Sequence, residues 1–263
     1  AGHHKVTVAL YDGGGQGACL GKAEHHVRLP AFRAMGNHVR EQLKIVEQVA
    51  GNLPSESSAM ARLLMERKAQ RESALRVLEQ SVAKTNLTYM PDVDKLAKEV
   101  ERFRSELVFD TRLANRIARF AQENPQHVLA VWRDPNPWDE VSAMLDGEDL
   151  FTKEIIPVTL YKSEYESVAV NVLNVTAEPI TAQLRVGEKN RSALLFYEVI
   201  DTPRSDGSWV PDALAELNSA NSIIIPPGTV RTLWITVNGK ALPSGITELL
   251  CEILPLGWDT FRA

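Results

Sequence analysis

Between residues 155 and 254 apolar and polar positions alternate in short runs, each closed by a turn signal. Val168, Val170 and Val172 share one side of a run at 166–175, and Ile180, Ala182, Leu184 and Val186 share one side of the next. A period of two is the period of a half-buried strand. Further runs lie at 193–200, 222–225, 230–237 and 247–254. A run at 155–161 carries Pro157, which places it at an edge or a strand start. Pro226, Pro227 and Gly228 read as a tight turn, in which proline presets φ and glycine supplies a positive φ. Residues 201–212 read as a turn-rich insertion. Such a series, with no helical period between its members, predicts an antiparallel sandwich of immunoglobulin-like type.

The middle of the chain changes period. Leu43, Val46 and Val49 form one stripe of a helix over 33–50, which Gly51 and Asn52 end. A second helix over 58–84 is buried through Met60, Leu63, Leu64, Leu75, Leu78 and Val82. A third begins at Pro91 and Asp92, and its Val93, Leu96, Val100, Phe103 and Leu107 recur at alternating spacings of three and four. That spacing is the seam of helix–helix packing. Leu113, Ile117 and Phe120 carry the stripe on, and Asn124 and Pro125 stop it. Long helices with short loops predict an antiparallel hairpin or bundle. Arg62, Glu66, Arg67, Lys68, Arg71 and Glu72 are expected on its solvated faces.

Ahead of the helices, residues 4–11 alternate and predict a strand. Val6, Val8 and Leu10 make it a candidate assembly strand, pairing with an edge of the sandwich or with another copy. The glycines at 13–15 and 17 lack the Lys-Ser/Thr ending of a Walker loop and the helix start of a dinucleotide fingerprint, so they read as a turn or linker. After the helices, Trp132 to Trp138 encloses Pro135 and Pro137 and reads as an extended joint packed by its tryptophans. The expected fold class is therefore α+β with segregated elements. Its parts are a strand and glycine-rich loop (1–28), a helical segment (29–125), a Pro/Trp connector (126–150) and the sandwich (151–263).

The residues from Ile225 through Gly228, Arg231, Leu233 and Trp234 to Val237, followed by Leu242, Pro243, Ser244 and Gly245, resemble a β-sandwich pattern of large bacterial extracellular glycoside hydrolases. Glu164 to Ser167 and Asn171 to Thr176 are similar to the strand and Asn-x-Thr turn of the same domains. The likeness spans residues 137–254. In that family the sandwich is an accessory module beside a separate catalytic barrel, and this chain has no stretch long enough to be that barrel. Gly245, Ile246 and Thr247 depart from the Gly-x-Tyr of the family pattern.

Composition narrows the function further. A net charge of −5 over 263 residues leaves no basic footprint for nucleic acid. No apolar run approaches the roughly 20 residues of a membrane span. No hydrophobic leader core follows His3 and His4, and a chain starting at Ala1 and Gly2 is compatible with a processed, secreted product. Cys19 and Cys251 are the two cysteines; they either pair across a long loop in an oxidising compartment or stay as separate thiols. Asn86, Asn174 and Asn190 each begin a glycosylation acceptor triplet.

Catalytic and metal patterns are missing. The six histidines, among them the doublets His3-His4 and His25-His26, show no ligand spacing. Neither a Gly-x-Ser-x-Gly elbow nor a reactive-cysteine context is present. Acids from Asp134 to Asp149 cluster near the connector and read as a solvated loop rather than a glycosidase pair. Exposed aromatics stack on sugars, which makes Trp209, Trp132 and Trp138 the candidate glycan or partner contacts. The expectation is a non-catalytic, extracellular structural or interaction protein that associates with itself and needs no cofactor. The alternative is a carbohydrate-binding accessory module.

Overall fold

The computed structural model describes residues 2–11, 19–29, 32–84, 90–138, 156–203, 205 and 209–257. The chain divides into two compact units, residues 1–44 and 45–263.

In the first unit, β1 (Gly2–Tyr11) and β2 (Cys19–Leu29) form an antiparallel hairpin that sets His4 opposite Val27 and Val8 opposite Ala23. The strand expected at 4–11 thus pairs with the next segment of its own chain. The partner strand was not expected, because Lys22, Glu24, His25, His26 and Arg28 break any apolar alternation. The side chains of Val6, Val8, Leu10 and Cys19, and the glycine run, lie outside the described residues. Helix α1 (Phe32–Asn52) begins in this unit.

The second unit holds the end of α1, then α2 (Ser58–Lys84) and α3 (Met90–Glu123). A 3-10 turn at Ser55–Ser57 joins α1 to α2. Ser57 is fixed there by its Oγ, which donates to the Pro125 carbonyl at 3.1 Å. The expected stripes are buried at Leu96, Val100, Phe103 and Leu107 of α3 and at Met60, Leu63, Leu64, Leu75 and Leu78 of α2; Val82 is only half-buried, and the side chain of Val93 lies outside the described residues.

Two antiparallel sheets follow. β3 (Leu129–Asp134), β4 (Tyr165–Asn174), β9 (Val230–Asn238), β6 (Leu194–Pro203) and β7 (Trp209–Glu216) lie side by side in that order. β10 (Cys251–Leu256), β5 (Ile180–Val186) and β8 (Ser222–Ile225) form the smaller sheet. The arrangement is α+β, with helices and antiparallel sheets segregated along the chain.

Each face of the larger sheet has its own core. Val170, Val172, Leu194, Phe196, Leu233, Ile235 and Val237 pack with Ile180, Ala182, Leu184, Ile223 and Ile225 of the smaller sheet. Ala130, Trp132 and Leu173 point the other way and pack with Leu63, Leu64, Leu113, Ile117 and Phe120 of the helices. The five-stranded sheet is therefore a middle layer at β3 and β4, which explains why β4 is apolar on both sides near its end.

Several expectations are corrected. Residues 156–161 keep the alternating burial of a strand but join no ladder, consistent with the missing N–H of Pro157. The connector begins with a real strand, β3, paired with β4 so that Trp132 stands opposite Asn171. The turn-rich insertion contains the end of β6 and most of the start of β7, with an irregularity at Ile200/Asp201. The last strand begins at Cys251 rather than near 247, because its partner β5 ends at Val186, opposite Cys251.

Candidate functional site

The seam of α3 runs on from Phe103 and Leu107 to Asp110, Ala114 and Ile117, still at alternating spacings of four and three. That progression puts a carboxylate at a core position, and Asp110 is 2 % exposed. On α2 the matching progression runs through Met60, Leu64, Arg67, Arg71 and Leu75. A buried carboxylate is stable only when paired and hydrogen-bonded. Both arginines supply the pairing. Nη1 of Arg67 donates to Oδ1 of Asp110 at 2.9 Å, and Nε of Arg71 donates to Oδ2 at 2.6 Å. Arg71 also pairs with Glu106. The expectation that Arg67 and Arg71 face solvent is thus overturned: their side chains are only 15 % and 16 % exposed.

Arg67 reaches further. Its Nη2 donates to the carbonyls of Pro227 and Gly228 at 3.0 and 2.9 Å, and its guanidinium sits 5.6 Å from the Phe109 ring centroid. Gly228 has φ +57, and a Cβ there would stand 2.8 Å from Nε of Arg67. Glycine is required twice, for the left-handed backbone and for the close approach. One arginine therefore ties α2, α3 and the β8–β9 turn together.

The same turn is held from the other side. The Gly228 N–H donates to the Asn174 carbonyl at 3.0 Å. Nδ2 of Asn174 donates to the carbonyls of Glu178 and Ile225 at 2.7 and 2.9 Å, while its Oδ1 accepts from the backbone N–H and hydroxyl of Thr176, both at 2.8 Å. All four amide positions are satisfied. Asn174, an acceptor triplet in sequence, is a wholly buried turn-former in the fold. Near it, the exposed pair Arg62 and Glu178 meets at 2.7 Å.

The tryptophans separate. Trp132 is buried beneath Arg116, whose guanidinium carbon lies 4.0 Å from its ring centroid, so it packs helix on sheet and is withdrawn as a glycan contact. Trp138 is 44 % exposed and stacks on Trp234 at 5.5 Å with the rings tilted by 39°. Cross-strand register places Trp234 between Ala169 and Tyr197. Nε1 of Trp234 donates to Oγ1 of Thr236, which is hydrogen-bonded to Ser167. Trp209 is 65 % exposed but stands opposite Pro203, six residues beyond Tyr197 along β6, roughly 20 Å away. Among the described residues, the two exposed tryptophans belong to different places.

Other chemistry is sparse among the described residues. Half-burial raises the Glu198 carboxyl above its usual range, and Arg231, 3.2 Å away, offsets only part of that rise. Asp134 is buried and accepts from the Asn136 N–H at 2.9 Å, while the remaining acids of that cluster lie outside the described residues. No group of three or more metal-binding side chains converges, and no helix is long and apolar enough to cross a membrane, among the described residues. Cys251 is a free thiol pushed up to about 11, first by burial and then by Glu252. Arg67, Arg71 and Asp110 were missed in the sequence; the signal was polar residues sitting in register on two apolar seams.

No family model matches the chain, and no curated protein matches it either.

Proposed function

We propose that this chain is a non-catalytic interaction module in which a helical hairpin is fixed to an immunoglobulin-type sandwich, working outside the cell and associating with further copies of itself. The observation that carries the reading is strand β7. It is the outermost strand of the five-stranded sheet, and none of its eight residues is buried. An unpaired row of backbone donors and acceptors is a template for another strand. Arg67, Arg71 and Asp110 of α2 and α3 are engaged with one another, which supports a mounting role for them rather than a chemical one. The immunoglobulin assignment is supported by the interlocking of β5–β8 in one sheet with β6–β9 in the other, as the B–E and C–F pairs interlock in that fold. Light scattering across a concentration series tests the reading: mass should rise with concentration, and a monomer at every concentration contradicts it.

A second reading has its own observation. The Trp138–Trp234 stack is a half-open aromatic surface beside Tyr197 and the Ser167 hydroxyl, the materials of a sugar-stacking site. This fits an accessory module of a polysaccharide-degrading protein, as the sequence resemblance implies. Retention on insoluble glycans that is lost in Trp138→Ala would favour it.

A further inference from the structure

We infer that the partner of β7 is strand β1 of a second copy, docked antiparallel with Lys5 opposite Glu216. The inference rests on the self-association reading above and adds both the acceptor edge and its register. β7 ends the sheet order, so one of its edges has no strand beside it among the described residues. Pro211 removes one N–H, and the register shift at Ile200/Asp201 passes over Asp212, leaving residues 213–216 as the regular run. That run carries Glu216, with Asp212 just before it, and no base. An acidic edge is best matched by a strand without acids, since like charges directly opposite are destabilising.

β1 meets that need. Its sequence from Gly2 to Tyr11 contains His3, His4 and Lys5 and no carboxylate. It is paired only with β2, in a two-stranded sheet, so its other edge is open among the described residues. A two-stranded ribbon is marginal by itself, and a third strand stabilises it. With Lys5 opposite Glu216, Val6 faces Ala215, Thr7 faces Leu214 and Val8 faces Ala213. This register keeps Pro211 and the irregular Asp212 outside the run and sets the single lysine of β1 opposite an acid. Four backbone-paired positions result.

The test is a charge swap on the full chain, read by light scattering and sedimentation across a concentration series. Lys5→Glu and Glu216→Lys should each raise the dissociation constant roughly tenfold, and the double variant Lys5→Glu/Glu216→Lys should restore it to within about threefold of the parent. Circular dichroism of each variant confirms that the fold is kept. An assembly that forms equally well in all four proteins overturns this docking while leaving self-association standing. A monomer at every concentration overturns both.

Discussion

Nη2 of Arg67 lies 2.9 Å from the carbonyl oxygen of Gly228, a residue 161 positions later in the chain. The contact is possible because position 228 has no side chain, and it ties a helix to a turn between two sheets. Gly228→Ala should therefore be costly. The left-handed backbone accounts for about 1–2 kcal/mol, and the overlap with Arg67 adds to it. In an Arg67→Ala background the overlap term largely vanishes, so a double-mutant cycle by urea unfolding should show a coupling of at least about 1 kcal/mol. Strictly additive effects would mean that the two residues do not meet.

Asp110 is the electrostatic centre of the joint. Asp110→Ala leaves two partly buried guanidinium groups short of their carboxylate, and breaking a buried pair in this way costs about 3–5 kcal/mol. Exposed Arg62→Ala, which loses surface pairs with Glu178 and Glu66, should change stability by less than about 1 kcal/mol. Denaturant midpoints of the two variants give the comparison.

Asn174 is expected to carry no glycan in the folded protein, whatever host makes it. Both amide hydrogens are engaged and the residue is wholly buried. Peptide mass spectrometry of folded material from a glycosylating host checks this. Asn174→Ala should destabilise by about 3 kcal/mol or more, since it orphans several buried backbone groups at once.

Cys251 gives a pH dependence with a definite sign. Its thiol is raised to about 11 in the folded state, from 9.0. The unfolded chain therefore loses this proton first. The stabilisation is complete below pH 9 and is lost as the pH rises towards 11. Unfolding free energy should fall over that window in the parent protein and fall less in Cys251→Ala. At neutral pH the thiol should alkylate slowly under native conditions.

Much of the fold is legible in the pattern of apolar residues. The period-two runs locate β4, β5, β6, β8 and β9, and the three-four seam locates α3; β5 and β8 bury one face and leave the other more open, while β4 is buried on both faces over its second half. β2 is invisible because its charges and histidines leave no apolar face to read. β3 and the start of β7 were hidden by prolines, which mark edges as readily as they mark loops. The joint was legible in principle. Asp110, Arg67 and Arg71 each occupy a seam position, and a charge on a seam calls for a partner of opposite sign. What sequence cannot give is the third partner, since nothing near Gly228 announces a guanidinium arriving from a helix far upstream.

The account rests on the helices and the sandwich of residues 45–263 being held as one cooperative body by Arg67. All five tryptophans lie at or after residue 132, so indole fluorescence reports the sheets while ellipticity at 222 nm is dominated by the helices. Equilibrium urea unfolding followed by both signals is the most direct test. The two curves should coincide in the parent protein, and in Arg67→Ala they should shift to lower urea or separate. Two separate transitions in the parent, with neither moved by Arg67→Ala, would contradict the account.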